Sequence, residues 1–167
     1  MKSINYVQGD ATSPIINEKK GGIITHICND EGKWGSGFVL ALSKKWMQPE
    51  IEYRKISSKN RKVGFYQLVI VGNNLFVANI IGQSGIVQRR TGFGVPAIDY
   101  TAVETALTNI AKFADSKNID LHMPRMGCFR SGGSWEVMEI IIKRSIRNYN
   151  CNVFVYDLEK NDELFNK

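Results

Sequence analysis

Cysteine and histidine are scarce in this chain. The three cysteines, Cys28, Cys128 and Cys151, are odd in number and stand at no paired spacing. That argues against a disulfide framework. The two histidines, His26 and His122, lie far apart, and neither has metal-ligand spacing to a cysteine or to the other. No metal site and no cofactor is therefore expected. No apolar run reaches the roughly 18 residues of a membrane span, so no membrane partner is expected. The opening stretch, MKSINYVQGD, lacks the long apolar core of a secretory leader, and the expectation is a cytoplasmic chain. Repeats, low-complexity tracts and linkers are missing too.

What is present describes one ordinary domain. The chain has 167 residues, 43% of them apolar and 23% charged, which is enough to bury a core. Its formal net charge of +6 attracts anions in general. The clusters KNRK (59–62) and QRR (88–90) are short, carry no interleaved aromatics, and read as solvated loops.

Strand and helix patterns alternate along the chain. SINYVQG (3–9) alternates like a strand, and GGIITHICN (21–29) is the β-branched run of a buried one. Apolar residues at Phe38, Leu42 and Trp46 recur at helical spacing over 37–46. VGFYQLVIVG (63–72) and NLFVANIIG (74–82) form two strands joined by a hairpin at Gly72-Asn73. Residues 83–99 form a long loop. A helix over Tyr100–Ser116 follows, then a short strand over 120–126, a helix over 134–149 with Ser134 as N-cap and Glu136 in its first turn, and a final strand over 151–158. The order is β, β, α, β, β, loop, α, β, α, β. It implies an α/β fold with a mixed, largely parallel sheet covered on both faces. The polar stretch 159–167 is a tail.

Two glycine-rich segments leave strands and open helices. GKWGSG (32–37) follows the second strand, and GCFRSGGSW (127–135) follows the short one. Glycine exposes backbone N–H groups, and a helix N-terminus behind them makes an anion cradle. Neither loop has the Walker ending or the GxGxxG pattern. In parallel α/β sheets ligands bind beyond the carboxyl ends of the strands, so both loops should share one crevice. Two such loops suit a diphosphate flanked by sugars. Asp10, directly after the first strand, either accepts hydrogen bonds from a base or ribose or serves as a turn residue.

Taken together, HICNDEGKWGSG (26–37), VANIIGQSG (77–85) and MPRMGCFRSGGSW (123–135) resemble the macro domain family, whose members bind ADP-ribose. The resemblance runs from INYVQGD to NVFVYDL and is nearest to the branch that holds the ADP-ribose 1''-phosphate phosphatases. It implies a three-layer α/β/α macro domain over 1–158. It also implies that Asp10 and Ala11 meet the adenine, and that Asn29 and the loop Asp30 to Gly37, including Lys33, Trp34, Gly35 and Ser36, wrap the distal ribose. Gly127, Cys128, Phe129, Arg130, Ser131, Gly132 and Gly133 would cradle the diphosphate, with Gln83 at the strand end nearby. Tyr156 either lies against the adenine or is a core aromatic. Trp34 either rims the ribose or plugs its own loop. Phe129 and Arg130 depart from the family pattern, which usually has Gly and Leu there. A related de-ADP-ribosylating branch uses a Lys near residue 83 and an Asp near 131. This chain has Gln83 and Ser131.

Removing a 1''-phosphate needs a nucleophile, donors for developing charge and a proton for the leaving oxygen. His26 is the acid–base candidate, with an unperturbed pKa near neutral. Asn29 would hold ribose hydroxyls, and Asp30 would activate water. Cys28 and Cys128 read as packing residues. The expected ligand is ADP-ribose or ADP-ribose 1''-phosphate, bound by a monomer. Three classes stay open: a phosphatase, a hydrolase acting on ADP-ribosylated protein or nucleic acid, and a reader without turnover.

Overall fold

The computed structural model describes residues 3–17, 19–86, 97–128 and 132–159. Its elements run β1 (Ile4–Gln8), β2 (Gly22–Asn29), α1 (Phe38–Lys45), α2 (Gln48–Lys55), β3 (Tyr66–Gly72), β4 (Leu75–Gln83), α3 (Tyr100–Lys117), β5 (Asp120–Pro124), α4 (Trp135–Ile146) and β6 (Val153–Asp157). The strands form one six-stranded sheet in the order β1-β6-β5-β2-β4-β3. Every pairing is parallel except β3–β4, the expected hairpin. The mixed α/β architecture is the one the sequence implied.

Burial explains the order of the strands. β2 and β4 are the most continuous apolar runs, and both lie inside the sheet with Ile23, Ile24, Val77, Ala78, Ile80 and Ile81 fully buried. Each such aliphatic side chain stabilises the fold by roughly 1.5–3 kcal/mol. β3, half-exposed along most of its length and with Ile70 facing solvent, is left at the edge. Side chains of alternate parity go to opposite faces. Ile23, Ala78, Ile80, Leu121, Met123, Val153 and Val155 pack under α3 and α4. Ile24, Cys28, Val77 and Ile81 pack under α1 and α2 with Leu42 and Tyr53.

The element absent from the sequence reading is α2. Its segment, QPEIEYRK, is polar, with only Pro49 and Tyr53 buried. Two buried positions do not make the apolar stripe that marks a helix in sequence. Pro49 near its start and the side-chain pairs Glu50–Arg54 and Glu52–Lys55 favour the helix locally. Ser134 is the N-cap of α4, as expected, although its hydroxyl makes no capping bond. Most of the loop expected over 83–99, and the tail from 160 onward, lie outside the described residues.

Candidate functional site

β5 and β2 are neighbours in the sheet, but their outgoing chains part. From β2 the chain runs to α1 on one face, and from β5 it runs to α4 on the other. This is a topological switch point, where a crevice opens beyond the carboxyl ends of the strands. The segment 29–37 and the described ends of the other glycine segment, residues 127–128 and 132–133, flank this point as two lips. Adjacent exits extend the row. Asp10 follows β1 at one end and Gln83 closes β4 at the other, four strand intervals apart, or about 19 Å at the usual spacing. The sheet thus lines up Asp10, the Gly127 loop, the Asn29 loop and Gln83 along one edge.

The Gly127 loop closes on itself. Cys128 and Gly133 pair as an isolated parallel bridge. A Cβ on Gly133 would stand 2.0 Å from the Gly127 carbonyl oxygen, so only glycine fits. Gly127 has φ 75°, which favours glycine as well. Tyr100 at the start of α3 accepts the Ser134 N–H through its hydroxyl at 2.8 Å and holds the far shoulder of the loop. Helices α1 and α4, like α2, begin without a side-chain cap, whereas Asp99 caps α3 by accepting the Ala102 N–H. The two helices that rise from the lips therefore leave their first N–H groups without a side-chain acceptor. Cys128 is half-buried, and burial pushes its thiol up despite nearby Arg125. Phe129, Arg130 and Ser131 lie outside the described residues. Gly132 is exposed.

The opposite lip is built around Asn29. Its Oδ1 accepts the N–H groups of Glu31 and Lys33, both at 3.1 Å, and its Nδ2 donates to Lys33 O at 2.9 Å. Tyr53 of α2 donates its hydroxyl to Asn29 O at 2.6 Å and approaches Oδ1 at 3.0 Å. Asp30 spans to the β4 exit, where its Oδ1 accepts Gly85 N–H at 2.8 Å and its Oδ2 faces Ser84 Oγ at 3.4 Å. Arg61 donates to Asp30 O at 3.2 Å. Lys33, Gly35 and Ser36 are exposed along the loop. Gln83 donates its side-chain amide to Gly85 O at 2.8 Å.

Three of the expected ligand contacts are buried side chains. His26 is only 2% exposed. β2 continues three residues beyond it, and its parity turns the ring under α1, edge-on to Trp34 with centroids 5.4 Å apart. Its Nε2 lies 2.5 Å from Asn79 Oδ1, and burial lowers its pKa to about 4. The ring is a neutral, buried core group. Trp34 is 5% exposed, tilted against Tyr53 with centroids 5.3 Å apart, and donates Nε1–H to Ser43 Oγ at 2.8 Å. It is the plug of its loop rather than a rim. Tyr156 is 4% exposed. Its hydroxyl accepts Ile15 N–H at 2.8 Å and lies 2.9 Å from His122 Nδ1, so it props the segment after Asp10 from beneath. Ala11 is buried in that segment, and Asp10 is exposed there with Oδ1 accepting Thr12 N–H at 2.8 Å.

Tyr53 and Arg61 shape the site without a local signal for that role: Arg61 belongs to the KNRK cluster that reads as solvated, yet it is half-buried and bonds the backbone of Ile56 and Asp30. Ser84 and Gly85 fall in the VANIIGQSG stretch, where no role is expected of them. Each reaches Asn29 or Asp30 across a separation that only the fold closes. Among the described residues no group of acidic, histidine or cysteine side chains is arranged to hold a metal, and no helix is long and apolar enough to cross a membrane.

No family model matches the sequence. Known proteins do. A Bacteroides thetaiotaomicron protein of unknown function is 48% identical, with a TM-score of 0.86 over 94% of this chain and 99% of that one. A macrodomain protein from Streptomyces coelicolor is 37% identical, with a TM-score of 0.76 over 93% of this chain and 99% of that one. DarTG of Thermosipho africanus, solved in complex with ADP-ribose, shares the fold at 15% identity and TM-score 0.67, over 96% of this chain and 43% of that one. Among curated relatives, the chromodomain-helicase-DNA-binding protein 1-like of Danio rerio is 28% identical over 163 residues, 92% of this chain. The chain spans only 15% of that relative's length. The ADP-ribose 1''-phosphate phosphatase of Candida albicans is 24% identical over 91% of this chain and 99% of its own. An identity of 37% along nearly the whole of a solved macrodomain chain, on a fold with the same mixed sheet, leads to one conclusion: this chain belongs to the macrodomain family.

Proposed function

We propose that the crevice binds ADP-ribose, with the adenine beside Asp10 and Ala11, the diphosphate on the Gly127–Gly133 loop and the distal ribose on the Asn29–Gly37 loop. The observation that carries this reading is the pair of glycine lips at the switch point between β5 and β2, each feeding a helix that lacks a side-chain cap. Bare N–H groups at such a point suit a diphosphate. The ADP-ribose bound by the DarTG relative supports the same ligand class.

The chemistry we propose is hydrolysis of ADP-ribose 1''-phosphate to ADP-ribose and phosphate. It is supported by the curated phosphatase, which this chain matches end to end. In this reading Asp30 orients the attacking water; its support is that the carboxylate follows Asn29 on the same loop and is held by Gly85 N–H and Ser84. Asn29 shapes the loop that receives the distal ribose and presents its backbone. Loop N–H groups take up charge that develops on the phosphate. His26 enters only as a support, because it fixes Trp34 and thereby the same loop.

Calorimetric titration with ADP-ribose, followed by phosphate release from ADP-ribose 1''-phosphate, tests both layers. Binding with release, lost in Asp30→Asn, is the expected result. Binding without release refutes the phosphatase reading and leaves a reader or a hydrolase of ADP-ribosylated macromolecules. No binding refutes the crevice assignment.

A further inference from the structure

Arg125 stands outside every role given so far. It follows β5 directly and precedes Gly127 by two residues. Its Nε and Nη2 donate to the two carboxylate oxygens of Asp157, at 2.6 and 2.8 Å. The pair holds the Asp157 carboxyl below its usual range. The guanidinium also lies over two rings, 5.0 Å from the centre of Tyr6 and 5.3 Å from that of Trp135. Tyr6 accepts the Trp135 Nε1–H at 3.0 Å and donates to Glu139 Oε2 at 2.7 Å.

These contacts have a shared target. Trp135 is the first residue of α4 and follows Gly133 by two, so Arg125 and Trp135 are the two shoulders of the glycine loop, locked to each other across it. Asp157 is the last residue of β6, and its carbonyl accepts the Gly9 N–H at 2.8 Å, next to Asp10. One guanidinium therefore ties the loop at the β5 exit to the segment at the β1 exit. A planar, forked cation suits both tasks at once, and an ammonium does not.

We infer that Arg125 is a positioning residue for ligand binding: through Asp157, Trp135 and Tyr6 it holds the diphosphate loop and the adenine segment at a fixed separation. This rests on the ADP-ribose reading above. A preorganised pair of subsites binds more tightly because less ordering remains to be done on binding.

The test compares Arg125→Met, Arg125→Lys and Asp157→Asn by calorimetry with ADP-ribose and by thermal unfolding. Ile110→Val, a trimmed core residue of α3, serves as a control for lost stability alone. Arg125→Met is expected to weaken ADP-ribose binding by roughly tenfold, as loss of preorganisation implies. Arg125→Lys should do nearly the same, because it keeps the charge and loses the fork. Asp157→Asn should fall between them and the unsubstituted protein. Ile110→Val should lower the unfolding midpoint without changing affinity. Where phosphate is released, KM should rise and kcat stay within about twofold, since Asp30 is untouched. Affinity within twofold of the unsubstituted protein in all three variants, with a lowered midpoint, overturns the inference and makes the network purely structural. If Arg125→Met does not fold, Asp157→Asn decides alone. Failure of the unsubstituted protein to bind ADP-ribose overturns the functional reading itself, and this inference with it.

Discussion

Replacing His26 by alanine separates a reactant from a core group. The ring is 2% exposed and fills the space between Trp34, Phe38 and Asn79. Deleting a buried ring leaves a cavity that costs about 2–4 kcal/mol. It also strips Asn79 Oδ1 of its partner, since the Asn79 amide nitrogen already donates to Pro49 O and Gln67 Oε1. A buried acceptor without a partner costs about 1–3 kcal/mol. The total is about 3–7 kcal/mol, a large part of the stability of an ordinary domain. At about 2–4 °C per kcal/mol for a chain of this size, the unfolding midpoint should drop by roughly 6–28 °C. The assay is differential scanning calorimetry alongside phosphate release per folded molecule, measured well below the variant's midpoint. Release should persist, reduced no further than the loss in ligand affinity explains. A midpoint within about 2 °C of the unsubstituted protein, with release abolished, would show that the imidazole acts on substrate and that the packing argument is wrong.

Acid should destabilise the fold in a defined window. Burial lowers His26 and His122 to about 4 from an ordinary 6.5, so between those values the unfolded chain takes up protons that the native one refuses. The stability is complete above about pH 6.5, falls as pH drops through the window, and levels off below about 4. By pH 5 each histidine should have cost about 2 kcal/mol. Urea unfolding at pH 7 and pH 5 measures the loss, and His122→Phe, which keeps a ring against Phe154, should remove about half of it. A stability that does not change between those pH values contradicts the burial of both rings. Gly133→Ala should leave the secondary structure intact by circular dichroism and abolish ADP-ribose binding in calorimetry, because its Cβ collides with Gly127 O and opens the loop. Retained affinity would mean that the loop is not the diphosphate site.

Much of this molecule is legible in the chain itself. The runs at 21–29 and 74–82 are too apolar to lie anywhere but inside a sheet, and the hairpin before β4 follows from its turn residues. The glycines at 127 and 133 mark a turn that tolerates no side chain, and their place between a strand and a helix already points to an anion cradle. These features depend on local backbone preference and on period, which a sequence carries explicitly. Helix α2 was not legible, because its buried residues are two and its stability comes from end effects and surface pairs. The fate of His26, Trp34 and Tyr156 was not legible either. Their residue types suit a ligand site and a core equally well. The run 21–29 already carries the strand past His26, but the Asn79 amide beside His26, the hydroxyl of Ser43 beside Trp34 and the Ile15 N–H over Tyr156 decide which it is, and all three partners are brought there by the fold. Arg125 gives the same lesson at longer range: Tyr6 and Asp157 lie at opposite ends of the chain, and they meet its guanidinium because β1, β6 and β5 are neighbours in the sheet. Composition and period determined the elements and the glycine lips. Which polar and aromatic side chains face the crevice was decided by strand parity and by partners distant in sequence, and those exist only once the chain has folded.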